Sequence, residues 1–119
     1  MSDDHLPRAF EFRAATRLVV GRNAIRRLGS LARELGATRV LVSSDPGLVR
    51  AGHTAAGLEA LAEAGIAKTV FDQFGENPTT TQVATGAALA REFGPDLIVG
   101  LGGGSSMDCA KGINFLVSC

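Results

Sequence analysis

Tryptophan and tyrosine are absent from this 119-residue chain, whose aromatic side chains are six phenylalanines. That leaves little with which to stack nucleobases. Net charge is also absent: 12 basic and 12 acidic residues cancel, and both signs are scattered. No electrostatic track for nucleic acid or an anionic membrane is therefore expected. No apolar run approaches the roughly 18 residues of a membrane span. The start, Met1-Ser2-Asp3-Asp4-His5, is polar with no apolar stretch behind it, so a cytoplasmic rather than secreted protein is expected. The two cysteines, Cys109 and Cys119, form no CxxC pair and have no histidine cluster beside them. Neither a structural zinc nor a redox pair is expected, and both thiols read as reduced. With no repeat, low-complexity run or linker, residues 1–119 read as one domain or part of a larger one.

What is present is an alternation of apolar strands and amphipathic helices. Ala9–Arg13 and Arg17–Val20 read as short strands separated by Ala14-Ala15-Thr16. After Gly21, a helix with Ile25, Leu28, Leu31, Ala32 and Leu35 on one face should end at Gly36 as its C′ residue. Arg39–Ser43 reads as a buried parallel strand. Asp45-Pro46 then supplies an N-cap and an N1 proline for a helix running to about Ala64 and ending at Gly65. Ile66–Phe71 is the next strand and Phe74–Pro78 a loop. Thr79 and Gln82 have capping-box spacing for a helix carrying Val83, Ala87, Ala90 and Phe93 on one face. Gly94-Pro95 breaks it before the strand Leu97–Leu101. The pattern implies a Rossmann-like α/β fold, a parallel sheet with flanking helices joined by right-handed crossovers. Ligands of such sheets bind at the carboxyl ends of the strands. Those ends carry Ser43-Ser44-Asp45, Gly75-Glu76-Asn77-Pro78 and Gly102–Ser106.

The run from Asp96 to Lys111 joins a buried strand, a three-glycine turn and the start of a helix. Such a turn aims backbone N–H groups and a helix N-terminus at one small volume, which favours phosphate. Glycine there admits φ > 0 and a close backbone approach. Ser105 and Asp108 have capping-box-like spacing. The last helix, with Ile113, Phe115, Leu116 and Val117, reads as apolar on most sides and so as buried between layers. Nothing follows Cys119 to cover it, which suggests a chain cut inside a larger fold.

Gly102-Gly103-Gly104-Ser105-Ser106-Met107-Asp108-Cys109-Ala110-Lys111 resembles the GGGSxxDxAK signature of the iron-containing (group III) alcohol dehydrogenase family. Val20-Gly21, Ser44–Leu48, Asn77-Pro78-Thr79 and Asp96–Gly100 resemble further segments of that family in the same order. The resemblance covers nearly the whole chain. It implies an NAD-binding α/β domain, here incomplete, that precedes an all-helical domain in which an Asp and three His hold a divalent metal, iron or zinc. His5 and His53 do not match those ligands, so this chain supplies no metal ligand and is not expected to catalyse alone. Glycerol dehydrogenases, dehydroquinate synthases and maleylacetate reductases share the two-domain plan; Ser105, Asp108 and Lys111 fit the alcohol dehydrogenases best.

On this reading Gly103, Gly104, Ser105 and Ser106 cradle the cofactor pyrophosphate, with Met107 adding its backbone amide. By resemblance Asp108 lies near the nicotinamide half, its bland role being a helix cap. Lys111 faces the cofactor or an acidic neighbour, its bland role being a solvated helix lysine. Asp45 can accept the adenosine ribose hydroxyls and repel a 2′-phosphate, favouring NAD over NADP; it can equally be a plain N-cap. Asn77 resembles a cofactor contact of the family, although Asn-Pro is also ordinary turn chemistry. The partners implied are a nicotinamide dinucleotide and, for the full enzyme, a small alcohol or aldehyde; a homo-oligomer is compatible. Two other readings remain open: a stand-alone nucleotide-binding module, and an inert fragment.

Overall fold

The computed structural model describes residues 15–19, 22–102 and 104–118. The predicted strand Ala9–Arg13 and the Val20-Gly21 turn lie outside them. Ten elements follow one another. They are β1 (Ala15–Val19), α1 (Arg22–Arg26), α2 (Leu28–Glu34), β2 (Arg39–Ser44), α3 (Pro46–Arg50), α4 (His53–Glu63), β3 (Ala67–Phe71), α5 (Thr80–Phe93), β4 (Leu97–Leu101) and α6 (Gly104–Ser118). The four strands form one sheet in the order β1-β4-β2-β3, and every pair is parallel. This is the expected parallel α/β architecture. Among the described residues no helix is long and apolar enough to cross a membrane.

Strand periodicity divides the core in two. Val40 and Val42 of β2 and Leu97, Val99 and Leu101 of β4 point to one face. There they meet Ile25, Leu28, Ala32 and Leu61 of α1, α2 and α4. Leu41 and Ile98, one residue out of phase, point to the other face and meet Ala90, Cys109, Ala110 and Ile113 of α5 and α6. Both central strands thus carry consecutive apolar residues, Val40–Val42 and Leu97–Val99, because each face is covered by helices.

Helix ends follow the glycines. Gly36 (φ +76°) and Gly65 (φ +76°) take the left-handed conformation. Each closes a paired C-terminal motif: Gly36 N to Arg33 O with Ala37 N to Ala32 O, and Gly65 N to Ala62 O with Ile66 N to Leu61 O. The Asp45 cap with its Pro46, and the Thr79–Gln82 capping box, are both present.

Several boundaries depart from the sequence reading. The segment Ala14–Thr16 is not a break at its C-terminal end: Ala15 and Thr16 pair with Leu97 and Ile98 in the ladder. The helix expected after Gly21 is two, interrupted at Arg27, and its last apolar position, Leu35, is 47% exposed because it sits at the C-cap. The helix expected over 46–64 is also two. Gly52, at φ +85°, turns the chain between them, a conformation no flanking apolar spacing encodes. Finally, α6 buries only the face carrying Ser106, Cys109, Ala110 and Ile113, and leaves Phe115 64% exposed. It covers one side of the sheet and is not sandwiched by the described elements.

The closest helix contact is between α2 and α4, where Gly29 faces the backbone carbonyl of Ala60. A main-chain group cannot rotate away as a side-chain tip can. Gly29→Ala should therefore lower stability by about 1–3 kcal/mol through overpacking, outweighing the ~1 kcal/mol helix-propensity gain. Urea denaturation of the purified protein checks this; equal or raised stability would show that the two helices separate at no cost.

Candidate functional site

Because all four strands run the same way, their carboxyl ends share one edge. Register sets neighbours along it: Ser44 stands beside Leu101, and Ser43 beside both Gly100 and Phe71. Asp45 and Gly102 are therefore the next residues out on adjacent strands. From there β2 continues into α3 and α4 on one face, and β4 into α6 on the other. Adjacent strands whose continuations leave to opposite faces open a crevice between them, the usual ligand position in such sheets.

Two close approaches shape this crevice. A Cβ on Gly100 would stand 3.1 Å from Met107 Cα and 3.2 Å from Ser106 O. Glycine lets the first turns of α6 lie this near β4 without the backbone giving way by the few tenths of an ångström a Cβ would require. Beside it the Ser43 hydroxyl donates to Ser106 O at 3.2 Å, tying β2 to the same turn of helix. Gly102 has φ +119°, a conformation that L side chains rarely adopt. A Cβ there would lie 2.8 Å from Leu48 Cδ1 and 3.4 Å from Asp45 Cβ, so the turn and α3 are in contact.

The N-terminal turn of α6 is chemically open. The helix starts at Gly104, so Ser105 lies inside its first turn and Asp108 in its second. This corrects the capping-box-like reading of that pair: spacing was right, but the helix begins two residues too early for it. No acidic side chain lies in the first turn. Nothing stands within 4 Å of where a Gly104 Cβ would be. Gly104, Asp108 and Lys111 are exposed and recur at helical spacing along one outward stripe, with Ser105 and Met107 half-buried beside it.

The remaining predicted site residues are placed differently. Asp45 is half-buried, and its Oδ1 accepts from Gly47 N at 2.5 Å; no described group bonds its other oxygen. Gly103 lies outside the described residues. Asn77 is exposed in the loop after β3, the edge strand, with β2 standing between β3 and β4. Ser106 is fully buried, and among the described residues its Oγ has no hydrogen-bond partner, an arrangement that costs about 1–3 kcal/mol. Its hydroxyl sits 3.2 Å from the space a Gly102 side chain would occupy. It lies beneath the turn rather than on its surface. The sequence reading placed Ser43 at the ligand-binding edge and Leu48 and Gly100 in family-like segments, but gave none of the three a role in building the site. Gly100 did carry a signal, since a glycine inside an otherwise apolar strand marks a close backbone approach.

Among the described residues no group of three His, Cys, Asp or Glu side chains is arranged to hold a metal. What this edge brings together is an open helix start and a carboxylate, that of Asp45, with one oxygen unbonded by any described group.

Comparison with known proteins finds relatives of this chain. Residues 15–119 match the family model described as iron-containing alcohol dehydrogenase. The chain belongs to the iron-containing alcohol dehydrogenase family. A 1,3-propanediol dehydrogenase of Klebsiella pneumoniae is 38% identical over 108 residues, 89% of this chain and 28% of the relative. A crystal structure of 1,3-propanediol oxidoreductase superposes with a TM-score of 0.72 at 41% identity, over 81% of this chain and 25% of that one. An NADH-dependent butanol dehydrogenase A from Thermotoga maritima superposes with a TM-score of 0.72 at 26% identity, over 84% of this chain and 25% of its own. The chain thus spans about a quarter of the length of the relatives it matches.

Cys109 lies behind this site on the buried face of α6. Burial pushes its thiol above the usual range, and hydrogen bonding with the Ser43 side chain opposes that shift without cancelling it. The single Ser43 proton is engaged by Ser106 O, so burial governs. The folded state accordingly disfavours the thiolate, and stability should fall as pH climbs above the ordinary thiol range, where the unfolded chain ionises first. Native Cys109 should resist iodoacetamide at pH 8–9 and react readily in urea. Peptide mass mapping checks this, and rapid native labelling at neutral pH would contradict the burial.

Proposed function

We propose that this chain is the cofactor-binding portion of an NAD-dependent, metal-dependent alcohol dehydrogenase. One observation carries the reading: the first turn of α6 is open, without an acidic side chain, and faces the crevice between β2 and β4. Unpaired N–H groups and the positive end of the helix dipole suit a pyrophosphate. Gly102 and Gly104 give the fit, since one lets the backbone turn tightly against Leu48 and the other leaves the approach clear. A bound nicotinamide would supply hydride acceptance from an alcohol carbon, or its delivery to an aldehyde.

The residues of this chain then bind and orient. The amides of Gly103, Gly104 and Ser105 take the pyrophosphate, with that of Met107 behind them. Asp45 keeps one oxygen on its own helix cap and offers the other to the ribose hydroxyls, where its charge opposes a 2′-phosphate. Asp108 and Lys111 extend the outward stripe from Gly104 toward the nicotinamide half. Asn77 contributes from the loop beyond the edge strand. By resemblance to the family, the metal and most of the alcohol or aldehyde pocket are assigned to other parts of the enzyme, and a homo-oligomer is compatible with this reading. We set this activity in the cytoplasm, where free dinucleotide is available.

Fluorescence titration of the purified protein with NADH tests the reading. Saturable binding is expected, and Gly102→Val should abolish it, since a β-branched residue at φ +119° meets Leu48. A folded protein that does not bind NADH would refute the assignment. A second expectation concerns specificity. Asp45→Ser retains a good N-cap while removing the charge, so NADPH affinity should rise roughly tenfold, about 1.4 kcal/mol, with little change in melting temperature. Unchanged NADPH affinity would reduce Asp45 to a cap.

A further inference from the structure

The buried Ser106 hydroxyl is unused by the reading above. Among the described residues its Oγ lacks a hydrogen-bond partner, although the residue is 0% exposed. Its own carbonyl is engaged by Ser43, which holds this turn of α6 against the sheet. The hydroxyl instead lies 3.2 Å from where a Gly102 Cβ would stand, in space shared with Leu48 Cδ1 and Asp45 Cβ. Those two neighbours present carbon. Gly102, which adjoins the hydroxyl, has no side chain and offers only its backbone polar groups.

We propose that Ser106 is a positioning residue for the dinucleotide, its buried hydroxyl pairing with a backbone polar group of Gly102 when the glycine turn settles onto a bound pyrophosphate. The proposal rests on the NAD reading and adds a coupling to it. The unsatisfied hydroxyl raises the free energy of the ligand-free turn, and binding relieves that cost. Part of the affinity then comes from a residue that never touches the ligand. Gly102 is suited to the movement, since at φ +119° it alone among residue types shifts within that region without strain.

The test measures two quantities on one set of proteins: NADH dissociation constant by fluorescence, and melting temperature without ligand. Ser106→Ala removes the hydroxyl and should weaken NADH binding about five- to tenfold. Its ligand-free melting temperature should equal or exceed that of the unsubstituted protein, because an orphan group has been deleted. Ser106→Cys preserves volume with a weak donor and should fall between the two in affinity, which keeps the test valid if alanine perturbs packing. Unchanged NADH affinity in both variants would overturn the proposal. So would a ligand-free loss of stability matching the loss of affinity, which would mean that the hydroxyl is already satisfied, as by a buried water. If the unsubstituted protein itself fails to bind NADH, the NAD reading falls and this inference with it. Binding by that protein with no response to either variant removes the inference alone.

Discussion

At Gly100 two main chains come so close that even a Cβ would meet backbone atoms at 3.1–3.4 Å, and the geometry of the carboxyl edge descends from that contact. The glycine seats the backbone of Ser106 and Met107 directly on β4. Ser43, its neighbour in register, adds a hydrogen bond to the same carbonyl. Together they fix where α6 begins relative to the strand before it and the strand beside it. A larger residue at Gly100 would push the helix outward and carry the glycine turn with it. The apolar contacts of Cys109, Ala110 and Ile113 then hold the rest of the helix down, but they do not choose its height over the sheet.

The opposite edge is built for rigidity. The Asp96 carboxylate accepts from Thr38 N at 2.9 Å, Thr38 Oγ1 at 2.7 Å and Arg39 N at 3.0 Å. Arg39 in turn donates to Phe93 O and lies 4.3 Å over the Phe93 ring. One carboxylate and one guanidinium thus join the start of β2 to the end of α5 and the start of β4. With the amino edge braced, the loops at the carboxyl edge can be shaped for a ligand without supporting the sheet.

Much of this was legible in the residues because local chemistry and tertiary need coincide there. Gly36 and Gly65 end helices by conformation alone, and Asp45-Pro46 and Thr79–Gln82 start them with their own side chains. Strand order was not legible, since no local pattern states that β4 inserts between β1 and β2. Nor, therefore, was the fact that Asp45 neighbours Gly102 while Asn77 lies a strand further away. The helix breaks at Arg27 and Gly52 escaped because apolar spacing continues across them. Ser106 shows the sharpest divergence: a serine beside a glycine turn resembles a ligand group, yet the phase of α6 turns it inward, next to Cys109 and Ile113.

Of the four helices that follow strands at this edge, α3, α5 and α6 treat their first-turn amides differently. The Asp45 side chain caps α3, and Thr79 and Gln82 cap α5 reciprocally. For α6, no described side chain accepts from the first turn, and residue 103, immediately before it, is glycine. A side-chain cap is worth about 1 kcal/mol, and the same edge shows that this fold forms such caps readily. Leaving α6 without one keeps several donors pointed into the crevice, where an anion can collect them all at once. The contrast between capped and open helix starts, more than the number of glycines, separates a turn that merely reverses the chain from one suited to hold a phosphate.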